Sequence, residues 1–321
     1  MMRWWWFGPA VTPEGLDRDL QAMKDAGLGG VEVQPVYPLA LDGEDAATHT
    51  RPFLSTDFLA ALAHARSTAD RLGLRFDVTL GSGWPYGGPS VAVSDAAGAL
   101  RIEKLPLAAG ARAMGLPPVG AGEALLAVHL TPDAAPRDAS AFRALDLARV
   151  AEGRLPFATP LPTAQTAWVF IASRTGMMVK RPAVGGEGFV VDHYDRGALE
   201  RYLAAVGAPL LRALATSRPY AVFCDSLEVF GSDWTPDLLD AFRSAYGYDL
   251  RDHMPSLVAG DDAVRGRTAR LGPAADRAAR DGVPRTADAV GARARHAPAG
   301  ADVRHAAGAA VECAARRPAG R

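Results

Sequence analysis

Gly27 and Gly73 punctuate the N-terminal part of the chain in the same way, and that repetition constrains the fold most. Before Gly27, Leu16, Leu20, Met23 and Ala26 recur at helical spacing. They follow Thr12-Pro13-Glu14, which offers a cap, a proline suited to the first helical position and an early carboxylate. The spacing predicts a helix over about 13–26. After Gly27 comes GGVEVQPV, rich in β-branched residues and bounded by Gly and Pro, which predicts a strand. A second helix is predicted from Thr56 to Leu72 on Phe58, Leu59, Leu62 and Ala65; Gly73 stops it, and LRFDVTL follows as a second strand. Helix and strand in alternation imply a parallel sheet, because parallel neighbours need a crossover between them.

Within GGVEVQPV, Glu32 and Gln34 alternate with the valines, so both project from one face of the strand; on a barrel strand that face is the interior or the mouth. The second strand runs into GSGWPYGGP, Gly81 to Pro89. Its glycines permit close backbone approach, and Trp84 and Tyr86 offer flat faces of the kind a sugar ring packs against. A Gly/Pro-rich turn with its aromatics in the core fits the same residues. From about Val91 to Gly176 short β-like runs, LRIEKLPL, EALLAVHLT and AWVFIAS, are separated by Pro, Gly and Ala, which predicts an inserted β-rich subdomain. Alternation resumes with a strand in GFVVDHYD, a helix over about 197–216, a strand in PYAVFCDSLEV and a helix over 236–246.

The pattern as a whole predicts an α/β chain: the front half of an incomplete (β/α)8 TIM-type barrel. Its first two β/α units occupy 1–90, the insertion 91–176, and the third and fourth units 177–258. From about Arg265 onward there is no aromatic residue, Lys, Ile or Met, and Ala and Arg dominate without a period. Such a segment buries too little apolar surface to offset its ordering entropy, so 259–321 is predicted to be a low-complexity tail, either disordered or read out of frame.

Composition narrows the partners. The formal charge is −1 and 49% of residues are hydrophobic, enough for a core and no advertisement for nucleic acid or an anionic membrane. No stretch approaches the ~18 apolar residues of a membrane span, so no membrane insertion is expected. Met1-Met2-Arg3 runs into Trp4-Trp5-Trp6 without the apolar segment of an export signal, which reads as cytoplasmic unless the true start lies upstream. Cys224 and Cys313 lie far apart outside any CxxC pattern, against a disulfide scaffold or zinc site. No P-loop, GxGxxG after a strand or HExxH occurs. Nothing in the pattern specifies an oligomeric state.

The candidate chemistry lies at the ends of the late strands. Glu228, with Asp225 before it and Asp233 after it, stands where barrel glycosidases place a carboxylic acid that protonates a leaving oxygen. Burial beside Val229, Phe230 and Trp234 would keep such an acid protonated; an ordinary turn or cap residue fits the position too. Asp192-His193-Tyr194-Asp195 could bind sugar hydroxyls or supply oxygens to a hard cation, with a structural histidine as the alternative. The remaining histidines are placed in loops or the tail and given no role.

Four blocks in order, RWWWFGPAVTPEGLDRDLQAMKDAGLGGVEVQPV, GSGWPYGGP, GGEGFVVDHYD and CDSLEVFGSDWTPDLLDAFRSAYGYDL, resemble family 106 glycoside hydrolases, the α-L-rhamnosidase family, over about Arg3 to Val258. The resemblance implies inverting cleavage of terminal α-L-rhamnose from a rhamnose-containing oligosaccharide or glycoside, on a (β/α)8 barrel with β-rich accessory parts and calcium in the sugar site. It implies Glu228 as the general acid; Glu32, Gln34, Trp84, His193 and Asp225 are the candidate substrate-binding residues. In the family the base comes from later barrel strands; here the only glutamate after Glu228 is Glu312, in sequence that resembles nothing. The expectation is a rhamnosidase-type chain that is truncated and inactive or reduced in activity. The alternatives are a non-catalytic carbohydrate-binding protein using Trp84, Tyr86 and His193, or a fragment without function.

Overall fold

The computed structural model of the protein describes residues 1–39, 50–132, 134–214 and 219–259. In chain order they form β1 (Met2–Phe7), α1 (Pro13–Asp25), β2 (Gly30–Val36), α2 (Thr56–Arg71), β3 (Arg75–Thr79) and β4 (Gly87–Gly88). Next come β5 (Gly98–Leu107), β6 (Ala113–Gly115), β7 (Ala124–Thr131), β8 (Arg143–Ala144), β9 (Arg154–Pro156) and β10 (Gln165–Arg174). The last are β11 (Phe189–Val190), α3 (Arg196–Tyr202), α4 (Ala208–Ala213), β12 (Val222–Phe223) and α5 (Leu238–Tyr246). The chain divides into two units, Met1–Ala96 with Gly176–Phe230, and Ala97–Thr175 with the residues from Gly231. The tail expected after 259 lies outside the described residues.

In the first unit β1, β2, β3 and β12 form a four-stranded parallel sheet in that order. The predicted helices and strands of β2 and β3 appear within a residue or two of expectation, and their caps explain the boundaries. Thr12 accepts the Gly15 N–H ahead of α1, and Ser55 accepts the Phe58 N–H ahead of α2. The sheet's two faces differ in chemistry. One carries Trp4, Trp6, Val31, Val33, Phe76 and Val78, all buried, and packs with Leu16 and Leu20 of α1, Phe58 and Leu62 of α2, and Leu210 of α4. Each such side chain contributes about 1.5–3 kcal/mol on burial, which decides which face turns inward. The alternate residues form the other face: Arg3, Trp5 and Phe7 on β1, Glu32 and Gln34 on β2, Asp77 and Thr79 on β3, and Phe223 on β12.

The expected α/β class holds; the sheet is open, and no closed barrel is formed by the described residues. Its members also differ from those predicted. RWWWF, given no strand in the sequence reading, is the outer strand β1, while GFVVDHYD contributes only Phe189–Val190, paired antiparallel with Gly87–Gly88. The chain turns straight afterwards, because Asp192 Oδ1 accepts the N–H groups of Tyr194 (3.0 Å) and Asp195 (3.3 Å). The helix predicted over 197–216 is interrupted by a π-helical segment, Leu203–Gly207, just before Pro209, which has no N–H to continue the ladder.

The second unit is built on an antiparallel sheet ordered β5-β10-β7-β8. One side packs Val128, Leu130, Val169 and Ile171 with Met114 and Leu155 of the paired β6 and β9. The other packs Phe170 and Ala127 with Trp234, with Leu238 and Phe242 of α5, and with Met254. The helix expected over 236–246 thus packs on the β-rich sheet of this unit. Gly247, at a left-handed φ of 78°, ends it.

Candidate active site

Register places the polar residues of the first unit's sheet in two rows. Arg3, Glu32 and Asp77 lie abreast on β1, β2 and β3; one pleat further on, Trp5 is opposite Gln34, and Thr79 opposite Phe223. Arg3 joins the rows to the end of β12: its Nε lies 3.1 Å from Glu32 Oε1 and its Nη1 2.6 Å from Asp225 Oδ2. The guanidinium also lies over Phe223, 4.6 Å from the ring centre, and 5.6 Å from that of Trp5. Thr79 Oγ1 donates to Gln34 Oε1 at 2.6 Å and stands 3.3 Å from Glu32 Oε1; Gln34 Nε2 donates to the Gly83 carbonyl at 3.3 Å.

Burial pushes the Glu32 carboxyl above its ordinary range; the Arg3 charge and the Thr79 hydroxyl oppose the rise, and the charges of Asp225 and Asp77 add to it. Asp77 has a different task. Its carboxylate is held by Arg75 and accepts the Ala221 N–H at 3.0 Å, tying β3 to the approach of β12.

The Gly81–Pro89 segment lies tight against the Lys180–Pro182 backbone because Gly83, at φ +69°, has no Cβ; one added there would sit 2.3 Å from the Lys180 carbonyl oxygen. This segment presents Trp84, half-buried, edge-on to Trp5 with centroids 6.0 Å apart. Trp5 is 37% exposed and stacks with Phe7. Tyr86 takes the bland alternative, buried against Tyr202.

The structure therefore brings Glu32, Gln34 and Asp225 together, with Trp84 at their side. His193 is not joined to them: it packs on Tyr194 at 4.1 Å, and burial holds its imidazole down at about 4, neutral near pH 7. Glu228 is exposed, with its N–H on Ser226 Oγ at 3.4 Å. Of the apolar residues expected beside it, Phe230 is 74% exposed and Trp234 belongs to the second unit's core. Asp233 also belongs to the second unit, where it accepts the Leu100 N–H at 2.7 Å. Two histidines given loop positions sit in regular elements instead, His64 on α2 and His129 on β7.

The sequence reading missed Arg3, Trp5 and Thr79. Alternation within RWWWF was the available signal for the first two.

A calcium ion takes roughly six to eight oxygens. Among the described residues no group of three or more His, Cys, Asp or Glu side chains could hold a metal ion. Asp195 accepts the Gly197 and Ala198 N–H groups, Asp192 those of its own turn, and Asp225 and Glu32 face Arg3. These residues do not fit calcium. A cleft of about 300 Å³ in the second unit, lined by Arg143, Asp146, Arg149, Phe157 and Thr159 among others, contains none of the expected site residues.

A family model described as alpha-L-rhamnosidase, glycoside hydrolase family 106, matches residues 1–125 and 147–267. This chain belongs to the α-L-rhamnosidase family. The match spans segments of both units, as the resemblance of the four blocks implied. No curated protein matches the chain. Among solved structures, a rhamnosidase from Novosphingobium sp. PP1Y is similar, with a TM-score of 0.67 at 17% identity over 95% of this chain and 45% of that one. At that identity the likeness shows the fold: a mixed α/β arrangement shared with a rhamnosidase, of which this α-L-rhamnosidase family member spans less than half the length. No described helix is long and apolar enough to cross a membrane.

Proposed function

We propose that the polar face of the parallel sheet is the sugar-binding floor of an inverting α-L-rhamnosidase, which releases terminal α-L-rhamnose from a glycan or glycoside. The observation that carries this reading is the convergence of Arg3, Glu32, Gln34, Thr79 and Asp225 on one sheet face beside Trp5 and Trp84. A sugar needs paired donors and acceptors for its hydroxyls and a flat apolar wall for its ring, and such a face offers both. In this reading the four strands are part of a (β/α)8-type barrel, whose strand C-termini carry the chemistry.

Glu228 protonates the glycosidic oxygen as the bond to the anomeric carbon breaks. A second carboxylate, about 6.5–9.5 Å from it, takes a proton from the water that attacks the opposite face. Covering of Glu228 by the bound sugar is part of the proposal, because an acid removed from water keeps its proton. Turnover is proposed of the whole protein, since this chain corresponds to 45% of the solved rhamnosidase.

The test is hydrolysis of p-nitrophenyl α-L-rhamnoside and of a rhamnosyl disaccharide by the wild type and Glu228→Gln. Loss of the acid should cost about 10²–10⁴-fold on the disaccharide, whose leaving alcohol needs the proton, and less on the aryl glycoside, whose leaving group does not. Rhamnose binding without turnover of either substrate overturns hydrolysis in favour of a non-catalytic carbohydrate-binding protein.

A further inference from the structure

Arg3 is where the first unit's polar face concentrates its charge. One guanidinium serves two carboxylates, Glu32 through Nε at 3.1 Å and Asp225 through Nη1 at 2.6 Å. The other charged groups on the face are accounted for: Asp77, next in the row, is matched by Arg75 and by the Ala221 N–H. Two carboxylates against one cation leave the cluster one negative charge, on side chains only 11% and 22% exposed.

Hydrogen-bond arithmetic sharpens the point. The Thr79 hydroxyl has one proton, and at 2.6 Å from Gln34 Oε1 against 3.3 Å from Glu32 Oε1 it goes to the glutamine. Gln34 is oriented to receive it, because its amide nitrogen is occupied by the Gly83 carbonyl. Arg3 is therefore the strong partner of Glu32, and it binds Oε1; Glu32 Oε2 and Asp225 Oδ1 have no hydrogen-bond partner among the described residues.

We propose that Arg3 is a positioning residue: it anchors one oxygen of Glu32 and one of Asp225, and so aims the other two at a sugar bound on this face. The inference rests on reading the face as sugar-binding, but its charge logic stands on the geometry. Burial already favours the protonated form of Glu32. Removing the only cation between the two carboxylates must favour it further.

The test follows the side-chain carboxyl signals of carbon-13-labelled Glu and Asp between about pH 3 and about pH 9, in the wild type, Arg3→Lys, Arg3→Met and Arg3→Met/Glu32→Gln. In Arg3→Met the Glu32 midpoint should move up. Adding Glu32→Gln should remove that signal and recover the thermal stability lost in the single variant. Arg3→Lys keeps the charge but lacks the planar fork, so its titration should stay near that of the wild type while kcat on rhamnoside falls about 10²-fold with little change in KM. Should Arg3→Met fail to fold, Arg3→Gln, polar but uncharged, takes its place in the titration. A Glu32 midpoint that ignores Arg3 overturns the proposal whatever the turnover assay shows. A chain without turnover whose Glu32 midpoint does depend on Arg3 keeps the clamp and counts against the hydrolase reading instead.

Discussion

At the residue scale, the polar face separates residues that hold the fold from residues left open to solvent. Gln34 is fully buried with both ends of its amide engaged, by Thr79 and by Gly83, whereas Trp5, its neighbour across the ladder, is 37% exposed. Gln34→Ala leaves the Gly83 carbonyl without its donor; the Thr79 hydroxyl can turn to Glu32 Oε1, already 3.3 Å away. One buried orphan rather than two sets the cost at about 1–3 kcal/mol. Chemical denaturation of Gln34→Ala against the wild type measures it, and a loss well below that range would mean that water replaces the amide. Asp192 and His193 illustrate the same separation. The carboxylate of Asp192 terminates the β11 segment, and the neutral imidazole of His193 packs on its neighbour.

At the scale of elements, α1 and α2 are locked by a polar contact as well as by their apolar faces. Asp17 on α1 accepts Thr68 Oγ1 at 2.5 Å and pairs with His64 Nε2 at 2.9 Å, both on α2. The Thr68 hydrogen bond is the largest cause holding the Asp17 carboxyl below its ordinary value of 3.8, helped by His64 and Arg71 and opposed by burial. A depressed carboxyl contributes stability that is present above its unfolded value and lost as pH falls through the folded one. The gap in urea midpoint between the wild type and Thr68→Val should therefore be widest near neutral pH and shrink below about pH 3.8. A gap that does not change with pH would assign the effect to packing of the threonine methyl.

Elements whose signals are local were legible in the sequence: α1 and α2 from caps and spacing, β2 and β3 from β-branched runs ended by glycines, and the polar face of β2 from the alternation of Glu32 and Gln34. The strand β1 was not, because four successive aromatics hide the alternation that burial reveals, Trp4 and Trp6 inward and Trp5 and Phe7 outward. The contacts of Arg3 with Glu32 and Asp225 were not legible for another reason. They depend on register between strands and on a residue more than two hundred positions away, which no periodicity encodes.

For the whole molecule, the decisive fact is that each unit closes its own core. The first unit's cluster draws on β1, β2, β3 and the helices α1 to α4, while the second unit's two clusters draw only on residues of Ala97–Thr175 and the segment from Gly231. Every expected site residue, Glu32, Gln34, Trp84, His193, Asp225 and Glu228, lies in the first unit. Stability is supplied locally when apolar contacts do not cross between cores, so damage to one core should open that unit before the other. Phe170 is the sharpest probe: it is fully buried against Trp234, Leu238, Phe242 and Met254, and Phe170→Ala should cost about 3–5 kcal/mol. Hydrogen exchange should then rise across β5, β7, β10 and α5, while β2 and β3 keep their wild-type protection. Glu32 should also keep its titration midpoint, because the groups that set it, Arg3, Thr79, Asp225 and Asp77, are all carried by the first unit. Loss of protection in β2 and β3 at the same denaturant concentration as in β10 would show a single cooperative core, and would make the polar face dependent on the β-rich unit for its stability.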